Sequence, residues 1–122
     1  MWFRLRFSGG LLVEVDLVEE VGRMLKEAVP FSSVANRWGD EVYFELPVKL
    51  RLVGEKTVME VGEVAYWPEG NSLCIFFGPT PASRDDEPRA YSPVKSVGRV
   101  MGDPGVLRRV RDGEEVEVSL GT

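Results

Sequence analysis

Short stretches in which apolar and polar residues alternate, each closed by glycine or proline, recur from Trp2 to Leu120. A period of two places successive side chains on opposite faces of a strand, whereas a helix needs apolar residues at i, i+3, i+4 and i+7. Such a chain is mainly β with close turns. In the first run Phe3, Leu5 and Phe7 share one face and Arg4 and Arg6 the other, Ser8-Gly9-Gly10 turns, and Leu11 to Val15 returns as a hairpin. The period changes only between Asp16 and Pro30. There Val18, Val21, Leu25 and Ala28 form one stripe, Asp16 and Glu19 offer a capping box, and Pro30 ends the helix.

Alternation resumes after a polar loop at Ser32 to Asp40, with Val42, Phe44, Leu46, Val48, Leu50 and Leu52 on one side and Glu41, Tyr43, Glu45, Lys49 and Arg51 on the other. Pro47 cannot donate to a ladder, so two strands meeting at a bend are expected there. Thr57 to Val61 and Val64 to Trp67 follow as short strands, and Pro68-Glu69-Gly70-Asn71 is dense in turn residues. Leu73 to Phe77 is apolar at every position, the pattern of a strand covered on both faces, and is the expected central strand. Ala82 to Pro93 is polar, proline-bearing and aperiodic, which predicts a surface loop. Val94 to Met101 is the next strand, Asp103-Pro104 opens a short helix, and Glu115 to Leu120 closes the chain. About nine strands with one long and one short helix in 122 residues make one domain, expected to hide its edges in a closed β-barrel.

Composition removes several functions. The chain has no histidine, which excludes a Ser-His-Asp triad, an imidazole base and imidazole metal sites. A net charge of −5 argues against nucleic acid and anionic membrane as partners, and Arg108, Arg109 and Arg111 stand beside Asp103, Asp112 and Glu114 as a solvated, ion-paired face. Cys74 is alone in an apolar run and is expected to pack as a small hydrophobe. No cofactor or metal is called for. Asp40-Glu41 and Asp85-Asp86-Glu87 lack calcium-loop spacing, and Gly78-Pro79-Thr80-Pro81 lacks the lysine of a phosphate cradle. The start has no secretory pattern and no apolar run approaches a ~20-residue span, so a cytoplasmic location is expected. Asn36 and Asn71 as the only side-chain amides point to a heat-adapted source.

Aromatic and arginine residues gather at turn and loop edges: Arg37, Trp38, Tyr66, Trp67, Arg89 and Tyr91. Ligand sites combine apolar walls with a few placed polar groups. The candidate site takes Trp67, Phe77 and Tyr91 as walls, Asn71 and Thr80 as hydrogen-bonding groups, and Arg37 and Arg89 as anchors for a carboxylate or carbonyl. Each residue also has a purely structural explanation. Trp67 before Pro68 can cap one end of the barrel, Asn71 suits a turn, and Arg89 can pair with the neighbouring acids.

The order hairpin, helix, several strands, short helix, last strand resembles the cyclophilin fold. Asn71-Ser72-Leu73-Cys74-Ile75-Phe76-Phe77 resembles the cyclophilins' asparagine-to-double-phenylalanine strand, and Val97-Gly98-Arg99-Val100-Met101-Gly102-Asp103 resembles the strand before their second helix. A fuller similarity is to a family of small bacterial and archaeal cyclophilin-like proteins. It is carried by Gly39 to Val48, Gly62 to Asn71, Phe76 to Pro81 and Ser92-Pro93-Val94. That resemblance implies a closed, eight-stranded, helix-plugged barrel and no established activity.

Prolyl isomerase chemistry does not carry over residue by residue. The cyclophilins' catalytic arginine has no counterpart in Glu41 to Leu46; their pocket histidine and tryptophan fall on Val94 and Arg89, and only Phe77 keeps its partner. The expectation is a module binding a small molecule or short peptide at an open face between Trp67, Phe77 and the loop through Arg89. Alternatives are a peptidyl-prolyl isomerase with rearranged catalytic groups, and an assembly protein, such as a homodimer, pairing through an exposed strand such as Trp2 to Phe7.

Overall fold

The computed structural model describes residues 1–121. Strand β1 (Trp2–Phe7) pairs in antiparallel register with β2 (Leu12–Leu17), as the alternation predicts. Helix α1 (Glu19–Lys26) precedes β3 (Phe31–Val34), β4 (Asn36–Arg37), β5 (Glu41–Glu45), β6 (Lys56–Val58), β7 (Glu63–Trp67), β8 (Ser72–Phe76) and β9 (Arg89–Met101). A 3-10 helix (Pro104–Arg109) and β10 (Glu115–Leu120) complete the chain. The sheet runs β3-β10-β1-β2-β9-β7-β8-β5-β4, with β6 on β9.

The sheet does not close into the expected barrel. Its two ends, β3 and β4, are consecutive in the chain and are parted at Ala35. Ala35 N–H donates to Glu114 O at 2.7 Å and its carbonyl accepts from Gly113 N–H at 2.8 Å, so this residue stays with the β10 side while Asn36 and Arg37 turn to β5. Across the gap the Ser33 hydroxyl donates to Glu45 O at 2.7 Å and the Asn36 amide donates to Val34 O at 3.3 Å and Tyr43 O at 3.4 Å, side-chain links where a barrel needs a continuous ladder. The concave side nevertheless holds one core, in which Phe3, Leu5, Val15, Val42, Phe44, Val64, Ile75 and Val118 pack with Val21 and Leu25 of α1 and Leu107 of the 3-10 helix.

Four further expectations change. The capping box does not form: Asp16 belongs to β2 and accepts from the Met1 ammonium at 3.1 Å, and α1 begins after Val18 with no side-chain cap. Pairing of Asp16 and Leu17 with Arg99 and Gly98 keeps that backbone extended, so the ladder overrides the local helix signal. The strand expected after Pro47 is absent; Leu46 and Leu50 are buried, but the chain there is held by Asn71 instead of a ladder. The loop of Ala82 to Pro93 stops at Pro88, because β6 pairs with β9 as far as Arg89. Strand β1 has partners on both edges, which removes it as a self-pairing edge.

Strand β8 is buried at every position, as expected, but stands between β7 and β5 while β9 takes the middle of the sheet. Its two coverings are distinct. Leu73 and Ile75 enter the main core, and Cys74 and Phe76 join a second cluster with Met59, Ala65, Ala90 and Val94 on the other side. Among the described residues no helix is long and apolar enough to cross a membrane.

Candidate functional site

On the convex face of β5, β7 and β8 alternation presents Glu41 and Tyr43, Ala65 and Trp67, and Cys74, while their neighbours Val42, Phe44, Val64 and Tyr66 fill the core. Register aligns Tyr43 with Cys74 and Cys74 with Ala65, one row across three strands. Over this row Trp38, Ala90, Tyr91 and Val94 rise as walls, enclosing a cavity of about 360 Å³ whose lining also includes Glu41 and Trp67. That volume lies at the small end of the range for small-molecule pockets.

Four rings surround the cavity edge to face. Trp38 meets Tyr91 at 6.0 Å between centroids, Tyr91 meets Trp67 at 6.3 Å, and Trp67 meets Tyr43 at 5.9 Å, all nearly perpendicular. Each is held by local chemistry. Trp38 starts a tight turn in which its N–H donates to Glu41 O at 3.0 Å. Gly39 makes that turn with φ +59°, and a side chain there would meet the backbone of Pro79 and Thr80. Trp67 donates its indole N–H to Ser92 Oγ at 2.7 Å. Tyr91 is 73% exposed and forms the outer wall.

Two buried glutamates differ sharply. Glu63 on β7 is 5% exposed, but Lys56 Nζ lies 2.8 Å from its carboxylate, Glu60 N–H donates at 2.9 Å and Ser96 donates its hydroxyl. Burial raises its pKa, yet these partners overcome that, and the net shift is downward. Glu41 on β5 is 6% exposed and, among the described residues, its carboxylate has no cation and no N–H or hydroxyl donor. Burial pushes its pKa up from 4.5 to about 7, and only the Cys74 thiol pulls the other way. A carboxyl without a cation in an aromatic hollow is therefore poised near neutrality.

Of the loop-edge aromatics singled out from sequence, the structure brings Trp38, Trp67 and Tyr91 together in this cavity, Trp67 and Tyr91 being the two chosen as walls. The others have structural partners. Arg37 donates to Gly39 O at 2.9 Å, to Val110 O at 2.9 Å and to Arg108 O at 3.2 Å, with its guanidinium over the Phe77 ring. It clamps the turn that carries Trp38. Phe77 is 2% exposed and faces the main core. Asn71 donates to Leu46 O at 3.2 Å and Val48 O at 3.1 Å and accepts from the Tyr66 hydroxyl. Thr80 donates to Arg89 O at 2.5 Å, and Arg89 Nε pairs with Glu87 at 2.9 Å, which shapes the loop before β9. Arg108 likewise does not pair with its neighbouring acids; it approaches Asp40 at 3.9 Å.

Glu41, Tyr43, Cys74, Ala90 and Val94 were not among the sequence candidates. A signal for them existed. Alternation assigned Glu41 and Tyr43 to the face away from the core, and a β8 apolar throughout requires something to cover that face.

The cyclophilin-like family model matches residues 1–119. The solution structure of the hypothetical protein AF2241 from Archaeoglobus fulgidus is similar at 40% identity and a TM-score of 0.81, over 99% of this chain and 95% of that one. No curated protein matches the chain. By that match across nearly its whole length, the chain belongs to the cyclophilin-like family.

Proposed function

We propose that this protein is a binding module that takes a small molecule, or one side chain of a short peptide, into the hollow between Trp38, Tyr43, Trp67 and Tyr91. The observation that carries this reading is the buried Glu41 carboxyl, with no cation beside it, lining an aromatic-walled cavity of about 360 Å³. A structural carboxylate at comparable burial, Glu63, is fully partnered. Burying Glu41 with no cation and only the Cys74 thiol to favour its charged form costs stability, which favours a role in recognition. Isomerisation of a proline peptide needs a donor to stabilise the twisted amide, against a barrier of ~20 kcal/mol. Arg37 is committed to backbone carbonyls and no arginine lines the hollow.

The test is a thermal-shift screen of metabolites, fragments and proline peptides. A ligand that binds only the folded chain raises its apparent stability with concentration. A saturable shift is expected that is lost in Tyr91→Ala, an exposed position whose replacement leaves the core intact. A ligand shift unaffected by Tyr91→Ala and by Trp67→Ala places binding elsewhere and overturns the assignment. Proline-peptide isomerisation is expected at the uncatalysed rate.

A further inference from the structure

We propose that the ligand of this pocket is an alkylated ammonium cation, held against the rings of Trp38, Tyr43, Trp67 and Tyr91 with Glu41 as counter-ion. This rests on the binding-module reading and names its ligand class.

Three observations carry it. First, aromatic faces are negative at their centres and attract cations, most strongly where water is excluded. Four rings line one half-open hollow, each within 6.3 Å of the next, and offer a cation several aromatic surfaces at once. Second, the one charged group in the lining is a buried carboxylate, and no lysine or arginine accompanies it. A buried carboxylate with no cation beside it and a thiol as its donor is stable only if it takes up a proton or receives a cation. Third, the remaining lining is Ala90, Val94 and Cys74, which offers few acceptors. A bare ammonium has three N–H donors to satisfy, whereas a nitrogen carrying methyl groups presents a weakly hydrated, apolar surface that suits rings and methyls. An anionic ligand would meet the Glu41 carboxylate with no cation in the lining to offset it.

The titratable groups facing Glu41 are Tyr43 on its own strand, with Asp112 beyond it, Cys74 on β8 and Tyr91 on β9. Burial holds the Cys74 thiol well above 9 and raises Tyr43 from 10, so Glu41 is the group in the hollow that titrates between pH 5 and 8. Cation binding favours the ionised carboxylate, so affinity should be greatest above about pH 8 and fall through about pH 7.

The experiment is titration of the full chain with tetramethylammonium, choline and the uncharged isostere of choline in which carbon replaces nitrogen, followed by tryptophan fluorescence and calorimetry. Choline is expected to bind at least about tenfold more tightly than the isostere at pH 8. Glu41→Gln should bring choline down to the isostere's affinity and abolish the pH dependence. Tyr91→Leu keeps apolar bulk but removes a ring, and should weaken choline more than the isostere. Equal binding of choline and isostere overturns the cation assignment while leaving the pocket reading in place. If neither these probes nor any fragment of the screen binds, both readings fall. A trimethyllysine peptide distinguishes the source: tighter binding than choline assigns the cation to a protein side chain, and weaker binding to a free metabolite.

Discussion

Glu41 and Asn71 illustrate how differently two polar residues of one region act. In the folded chain Glu41 holds its proton up to about pH 7, while in the unfolded chain it releases it near 4.5. Its contribution to stability is therefore fully present below about pH 4.5 and is lost as pH rises to about 7, a difference of about 3 kcal/mol. Glu41→Gln should flatten that slope and raise stability at pH 8 by about 1–3 kcal/mol, measured by urea unfolding across pH. Asn71 works in the opposite sense. It sits at φ 46°, a conformation asparagine tolerates, and its side chain joins Tyr66 to the strandless stretch at Leu46 and Val48. Asn71→Ala should cost about 2–3 kcal/mol in the same assay without changing the affinity of any ligand of the pocket.

At the scale of elements, β9 decides the architecture. It pairs with β6 near its start and with β7 and β2 further on, and its register against β7 slips between Val64 and Ala65. Alternation puts Ala90 and Val94 on the pocket side, and the slip, which leaves Val97 as an extra residue, lets Val97 and Val100, three apart, both face the main core. Close packing at that point depends on Gly98, where a Cβ would stand 2.1 Å from Asp16 O. Gly98→Ala should push β2 from β9 and destabilise the chain by about 2 kcal/mol or more, read as a lower unfolding midpoint. Its choline affinity should hold, because the pocket lies on the far side of the slip. The loop before β9 has its own acid sensitivity. Glu87 is held near pKa 2, chiefly by the Arg84 and Asp85 amides and also by Arg89, so order in this loop should be lost only below about pH 3, as seen by amide resonances.

For the whole molecule, the open seam between β3 and β5 is the weakest line of the fold. A ladder broken at Ala35 and bridged by the Ser33 and Asn36 side chains should open more readily than β8, which is paired on both edges. Hydrogen exchange is expected to be fastest in the Phe31–Val34 and Asn36–Arg37 segments, and Ser33→Ala should accelerate it there without affecting β8. Equal protection across the seam and β8 would contradict an open sheet.

The sequence by itself determined the β class, the opening hairpin, the doubly covered β8, the final strand and the short helix at Asp103-Pro104, because each follows from a local period or a proline with its capping acid. It also marked Trp38, Trp67 and Tyr91, since aromatic residues beside turns are visible in one dimension. Tertiary structure alone decided that Asp16 extends a strand, that Arg89 to Pro93 joins β9 and that the seam stays open, because strand pairing links residues far apart in the chain. It decided the site's charge in the same way. Glu41 and Glu63 are both glutamates beside β-turns, and the approach of Lys56 and Ser96 to Glu63, and of rings to Glu41, makes Glu63 a structural anion and leaves Glu41 a carboxyl without a cation.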